Sequence, residues 1–415
     1  MKYSFLIFCL FFSLNVLGKG KKTVLYWLSI DGMKYDYLHK TDSPFLKDLV
    51  TKSVFSKKLR PSYPSITFPS HTTKATGVKV AEHGIPLNFF YDSLTDKFHS
   101  YPGDSGLLGA EPIWQTVKRG GLRSAVIDWP LSYAQTSEFK SDYFENEYNK
   151  NFTDEQRVEH ALKIWDRDLE SGNQYNLFMA YLSEVDSAGH EYGPLDPKVY
   201  ERVERTDKLI GIITEKIKNL AEKHKDYDYY FLITSDHGME EVKYGVNLEL
   251  LLDFSDKINY KLAASGPIGH LFFSKTEMSQ KNKTFRLLAN RLKDYPFVKM
   301  YEKNKLPKRW GYNHQTRVGD LVFVLDKEYC FVRNSPSVVS KISDIGGPRG
   351  MHGFDALKNP EMNGILIFWK YPQHPRRREV KHSIETLHLH STVSKILGVS
   401  PSPQASSKVI SELLP

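Results

Sequence analysis

Three aspartates in this 415-residue chain stand just past apolar runs, and two of them have a histidine close by in sequence. Val24 to Ile30 runs into Asp31-Gly32, Leu177 to Leu182 runs into Asp186, and Tyr229 to Ser235 runs into Asp236-His237-Gly238. His190 follows Asp186 by four residues, one turn along a helical face. His352 lies in the glycine-flanked loop Gly350-Met351-His352-Gly353. Thr67 opens the segment Thr67-Phe68-Pro69-Ser70-His71, whose pattern predicts a helix starting just beyond it. A hydroxyl at that place sits in the positive end of the helix dipole, where orphan amides hold phosphate. Each feature also has an ordinary reading: a helix cap for Thr67, a solvated face for Asp186 and His190, a satisfied buried ring for His237, and a loop side chain for His352. Taken as a set they are seven candidate ligands. Mixed imidazole and carboxylate donors suit zinc better than magnesium or calcium. Seven exceed one tetrahedral site and fit two metals. Two ions ~4 Å apart can clamp the attacking and leaving oxygens of an in-line phosphoryl displacement. Thr67 would be a nucleophile only if a metal lowered its pKa, and Asn88 is a candidate amide donor to the phosphoryl oxygens.

Strands must bring these residues together. In an open α/β sheet the ligand crevice lies beyond the carboxyl ends of the strands, where all three aspartates would fall. Strand and helix patterns alternate, which predicts a mainly parallel central sheet with helices on both faces. Ser43 with Pro44 opens a helix through Val50, Glu111 to Arg119 is a helix ended by Gly120-Gly121, and Ser124 to Trp129 is a core strand. Thr153-Asp154-Glu155-Gln156 is a capping-box start, and Asp196 to Lys223 is a long amphipathic helix. Residues 247–348 read as a small inserted α+β lobe, Gly364 to Trp369 returns to the sheet, and Ser383 to Leu397 is a closing helix. Neither repeats nor low-complexity linkers are evident, so residues 19–415 are expected to form a single catalytic domain.

The bulk properties set the environment. Hydrophobic residues make up 40% of the chain, ample for a large core, and the net charge of +8 is dispersed. That dispersal argues against a structural nucleic-acid partner while favouring small phosphate-bearing substrates. Residues 1–18 have the form of a secretory signal: Lys2, an apolar core from Phe5 to Phe12, then Val16-Leu17-Gly18. That run is shorter than the ~20 residues a spanning helix needs, so a secreted or periplasmic protein without a membrane span is expected. Of the two cysteines, Cys9 falls in the signal, leaving Cys330 without an intrachain partner. Asn151-Phe152-Thr153 and Asn282-Lys283-Thr284 are formal glycosylation acceptors.

In order along the chain stand Asp31-Gly32, Thr67-Phe68-Pro69-x-His71, His83-Gly84-Ile85, Glu111-Pro112-Ile113-Trp114, Asp186-Ser187-Ala188-Gly189-His190-x-Tyr192-Gly193-Pro194, Ser235-Asp236-His237-Gly238-Met239 and His352-Gly353. This series resembles the nucleotide pyrophosphatase/phosphodiesterase family of the alkaline phosphatase superfamily. The resemblance implies an alkaline-phosphatase-like fold and two zinc ions. Asp31, Thr67, Asp236 and His237 match the ligands of one zinc, and Asp186, His190 and His352 those of the other. Thr67 matches the nucleophile that forms a covalent intermediate, and Asn88 the phosphate-contacting asparagine. Phe68 and Tyr148 match aromatic positions that sandwich a base, and Trp129-Pro130 a nearby pocket segment. Two positions depart: Ser70 stands where many members have asparagine, and Leu131-Ser132-Tyr133 replaces Gly-Ser-Asp.

The function expected is hydrolysis of nucleoside 5′-phosphodiester or pyrophosphate bonds to nucleoside 5′-monophosphates. The absence of an evident Lys or Arg beyond Trp129 for clamping a monoester dianion favours diesters. Aromatic faces also bind quaternary ammonium groups, so choline-phosphate lipids and glycerophosphodiesters are the first alternative, with Glu145 and Glu147 near Tyr148 as possible partners of the cation. A monoesterase and a binding protein with a dead site are the remaining ones.

Overall fold

The structure, a computed structural model, describes residues 21–253, 259–274, 276–372 and 378–414. The signal-like segment 1–18 lies outside the described residues.

A nine-stranded sheet forms the centre. Across it run Arg378–Glu379, Val54–Arg60, Gly364–Tyr371, Tyr227–Ser235, Lys22–Ile30, Leu177–Leu182, Ser124–Ile127 and Tyr143–Phe144, with Ile384–Glu385 also beside Val54–Arg60. Gly364–Tyr371 is antiparallel to both its neighbours, while the other pairings are parallel. Helices cover both faces, which is why the inner strands are apolar almost throughout rather than alternating. Successive residues still point to opposite sides. Tyr26 joins Trp165, Phe178 and Ile210 in one core, and Trp27 joins Met179, Leu232 and Val393 in the other.

Register places the chemistry. Ile30 pairs with Leu182 on one side and Ser235 on the other. The three strands therefore end level, and Asp31, Asp236 and the Glu184–Tyr192 helix carrying Asp186 leave the same edge. Gly32 allows the close approach: its φ is +63°, and an added Cβ would lie 2.9 Å from Asp186 Cα. The helix over Asp154–Glu170 has the expected capping box, and the one over Pro197–Lys223 starts at Asp196 as its cap.

Two expectations need correction. The strand after Gly121 ends at Ile127, because Asp128 turns to φ +58°. The segment from Ser383 is not one helix: Ile384–Glu385 adds to the sheet edge, Thr386–His388 is a 3-10 turn, and the helix spans Leu389–Leu397. Within 247–348, an antiparallel sheet of Tyr260–Ser265, Ile268–Phe273, Leu321–Leu325 and Val298–Glu302 packs around Leu271, Leu288 and Phe323. A second small sheet joins Glu328–Phe331 and Val339–Lys341 to Glu240–Val246 and Gly350–Met351, which lie outside that segment.

Candidate metal centre and substrate cleft

Two constellations of cation ligands sit at the carboxyl edge of the sheet. Asp31, Asp236 and His237 form one and Asp186, His237 and His352 the other, with the donor atoms of each set within 4.8 Å of one another. His237 Nε2 lies 3.3 Å from Asp31 Oδ1, 3.1 Å from Asp236 Oδ2 and 3.3 Å from Thr67 Oγ1. His190 Nε2 lies 3.3 Å from Asp186 Oδ2 and 3.2 Å from His352 Nε2. All seven sequence candidates thus meet in one place.

The hydrogen bonding suits cations. His190 donates from Nδ1 to the Gly350 carbonyl at 2.7 Å, His352 to that of Ser65 at 3.0 Å, and His237 to that of Gly238 at 2.9 Å. Fixing the proton on Nδ1 turns each Nε2 lone pair inward, the usual outer-shell arrangement around a ligating histidine. The lone pairs of His190 and His352 then oppose each other, and only an added proton or a cation can join them. Asp31 Oδ1, Asp186 Oδ1 and Asp236 Oδ2 are buried with no hydrogen-bond partner among the described residues. Burying such oxygens unpaired is costly.

Burial and mutual charge shift these groups in opposite directions. Burial, with Asp236 and Asp186 adding to it, pushes the Asp31 carboxyl well up. Burial acts in that direction on Asp186 too, but His190 and His352 outweigh it and hold the carboxyl down to about 2. Burial, with His237 beside it, holds His352 down to about 3, neutral at physiological pH. Against burial, Asp186 in turn pushes His190 upward. Three carboxyl groups thus share one dry site with three imidazole rings, a donor set that divalent cations satisfy.

Thr67 is the first residue of the Thr67–Thr76 helix, not its cap. Ile66 holds the cap position, so the threonine hydroxyl is not consumed there and faces His237. A chain of buried contacts fixes this helix start. Lys74 Nζ donates to Ser29 Oγ at 2.6 Å, Ser29 reaches His71 Nε2 at 2.9 Å, and His71 Nδ1 donates to the Thr67 carbonyl at 2.8 Å. Burial lowers His71 to about 3 and Lys74 to about 8. Asn88 Oδ1 accepts the Phe68 N–H at 3.0 Å, which leaves its amide N–H groups to donate.

A cleft of ≈820 Å³ opens above these candidate ligands. Asp31, Thr67, Phe68, Asn88, Tyr148, Asp186, His190 and His352 line it. Asp236 and His237 lie beneath, both buried. Trp129 does not reach the cleft. Its ring is 0% exposed and packs edge-on against Trp27 and His71, while its neighbours Asp128 and Pro130 do line the wall. Beyond the strand end Asp128 turns to φ +58°, and Trp129 packs inward to the core. Glu147 lines the cleft, whereas Glu145 is held by His160 at 2.7 Å.

Several residues of the site were not legible as such. Tyr181 donates its hydroxyl to Asp31 Oδ2, yet in sequence it is one more aromatic of a core strand. Lys74 reads as a surface residue of a helix. Tyr101 and Lys150 line the cleft from loops that carry no pattern. Tyr133, at one of the two departures from the family pattern, lines the wall and reaches Asp128 Oδ1 with its hydroxyl at 3.3 Å.

A mainly parallel α/β sheet whose carboxyl edge gathers two cation-ligand sets around a threonine hydroxyl defines a metal-dependent hydrolase of the alkaline phosphatase superfamily. The family model for type I phosphodiesterase / nucleotide pyrophosphatase matches residues 25–355, and the chain belongs to that family. Human bis(5′-adenosyl)-triphosphatase ENPP4 is 29% identical over 390 residues, covering 91% of this chain and 79% of that protein. The venom phosphodiesterase CdcPDE of Crotalus durissus collilineatus is 28% identical over 399 residues, 92% of this chain. The chain spans about half of that relative's length, 45%. Murine ectonucleotide pyrophosphatase / phosphodiesterase 5 superposes with a TM-score of 0.78 at 25% identity, over 93% of this chain and 98% of that one. A second structure of the murine protein, with a TM-score of 0.77, 25% identity and the same coverage, is an inactive threonine-to-alanine form in complex with AMP.

Proposed function

We propose that this chain is an exported two-zinc phosphodiesterase that cleaves nucleoside 5′-phosphodiester or pyrophosphate bonds and releases nucleoside 5′-monophosphates. The observation that carries the reading is the Thr67 hydroxyl, uncommitted to capping and 3.3 Å from His237 Nε2 at the head of the cleft. Asp31, Thr67, Asp236 and His237 would hold one zinc and Asp186, His190 and His352 the other; when bound, the ions supply Lewis acidity to the attacking and leaving oxygens. Thr67 Oγ1 attacks phosphorus in line and displaces the leaving group, and water then releases the nucleotide from the threonine. The helix that begins at Thr67 directs its positive end at the phosphoryl group. Asn88, oriented by the Phe68 amide, donates to the non-bridging oxygen where charge grows. Phe68 and Tyr148 present rings to the cleft for the base. The AMP bound by the murine relative supports a nucleotide substrate. Export rests on the charge and apolar run of residues 1–18.

Thr67→Ala tests this. With a nucleoside 5′-monophosphate nitrophenyl ester, turnover is expected to fall more than about a thousandfold while the variant still binds AMP. Near-normal turnover removes Thr67 as the nucleophile.

A further inference from the structure

Behind Tyr148 lies a buried ion pair that the reaction itself does not use. The Arg157 guanidinium sits 4.2 Å from the centre of the Tyr148 ring and is almost fully buried. Arg157 Nη1 donates to Asp128 Oδ2, and Nη2 to the Asn149 carbonyl at 2.7 Å. Asp128 also meets the Tyr133 hydroxyl, and the Tyr148 hydroxyl donates to Ser183 Oγ at 3.2 Å. The ring is therefore held at its hydroxyl by Ser183, with one face covered by a cation. The cleft wall carries backbone strain: Tyr101, Asp128 and Ala134 all have φ between +44° and +58°. Non-glycine residues held there cluster at ligand clamps.

We infer that Arg157, fixed by Asp128, is a positioning and specificity-determining residue that makes Tyr148 a one-sided stacking platform for a neutral aromatic base and disfavours cationic headgroups. This deepens the proposed nucleotide activity and rests on it. The physical reason is the ring quadrupole. A cation is attracted to an aromatic face within about 6 Å. Arg157 already engages the Tyr148 π-density from behind, so a quaternary ammonium arriving in front meets a depleted face with a positive charge beyond it. A neutral base loses nothing by this and gains a ring held at a fixed angle. Glu147, with Asp104 and Asp128 on the same cleft wall, would otherwise favour a choline group.

The test compares three nitrophenyl esters on one preparation: thymidine 5′-phosphate, methyl phosphate, which has no base, and phosphocholine. The variants are Arg157→Met and the charge-balanced pair Arg157→Met with Asp128→Asn. The second keeps the test valid if an unpaired Asp128 unfolds the first. The kcat/KM ratio of thymidine to methyl ester is expected to fall about tenfold, through KM, and the ratio of phosphocholine to methyl ester to rise. In a Tyr148→Ala background the Arg157 change should have no further effect on either ratio. Equal losses on all three esters, or unchanged ratios, would overturn the inference and leave the pair a purely structural one. A wild-type enzyme with no preference for thymidine over methyl ester would instead overturn the nucleotide reading on which the inference stands.

Discussion

Removing one hydroxyl from Tyr181 should weaken one metal site and spare the other. Tyr181 is buried and its ring packs edge-on to His71 at 5.2 Å, so Tyr181→Phe keeps the packing and deletes only the donor to Asp31 Oδ2. The other oxygen of Asp31 already has no hydrogen-bond partner among the described residues. The substitution thus leaves a buried carboxylate whose orientation rests on the metal alone. A hydrogen bond to a charged group contributes about 1.5–3 kcal/mol. At 1.4 kcal/mol per decade that predicts a loss of roughly 10- to 100-fold in affinity, the range found for outer-shell partners of metal ligands. The assay is a zinc titration against a chromophoric chelator. The site containing Asp31 and Thr67 should weaken by that factor. The site of Asp186, His190 and His352 should be nearly unchanged, because the Tyr181 hydroxyl is donated to Asp31 and not to those three side chains. Equal weakening of both sites, or none, refutes the argument that Tyr181 orients Asp31.

Other perturbations probe the remaining parts. Asn88→Ala should lower kcat by about 10²–10³ with a small effect on nucleotide binding, measured by steady-state kinetics and AMP titration; a change confined to KM would remove its role in transition-state stabilisation. Burial depresses Lys74 from 10.5 to about 8. Between those values the unfolded chain holds a proton that the fold does not, so stability should rise with pH across this window, by up to about 1.4 kcal/mol per unit. Denaturant melts from pH 7 to 10 should show this rise in the wild type and lose it in Lys74→Met; parallel curves would contradict the buried charge.

What the sequence revealed depended on where each residue lay. Asp31, Asp186 and Asp236 were legible because parallel strands of level register must deliver their next residues to one edge. His190 was legible from helical spacing, and Thr67, Asn88 and His352 from ordered motifs. Tyr181 was not, since an inward-facing aromatic in a strand reads as core whether or not its hydroxyl reaches a ligand. Lys74 was hidden because nothing local distinguishes a buried lysine from a solvated one. Trp129 matches a pocket segment because its neighbours Asp128 and Pro130 line the cleft, but its own ring packs in the core against Trp27 and His71. The segment from Ser383 kept helical spacing while tertiary pairing drew Ile384–Glu385 onto the sheet edge. Arg157 sits on a plainly amphipathic helix, and only the fold shows that it lies behind Tyr148.

Whether two cations share the site that holds Thr67 is decided by metal stoichiometry. The mature chain would be loaded with zinc, freed of excess, and analysed for zinc per chain and for turnover of the nucleotide ester, alongside a variant carrying both His190→Ala and His352→Ala. Two ions per wild-type chain are expected, about one in the variant, with turnover lost along with the second ion. Full activity in the variant, or in wild type stripped of metal by a chelator, would contradict that expectation.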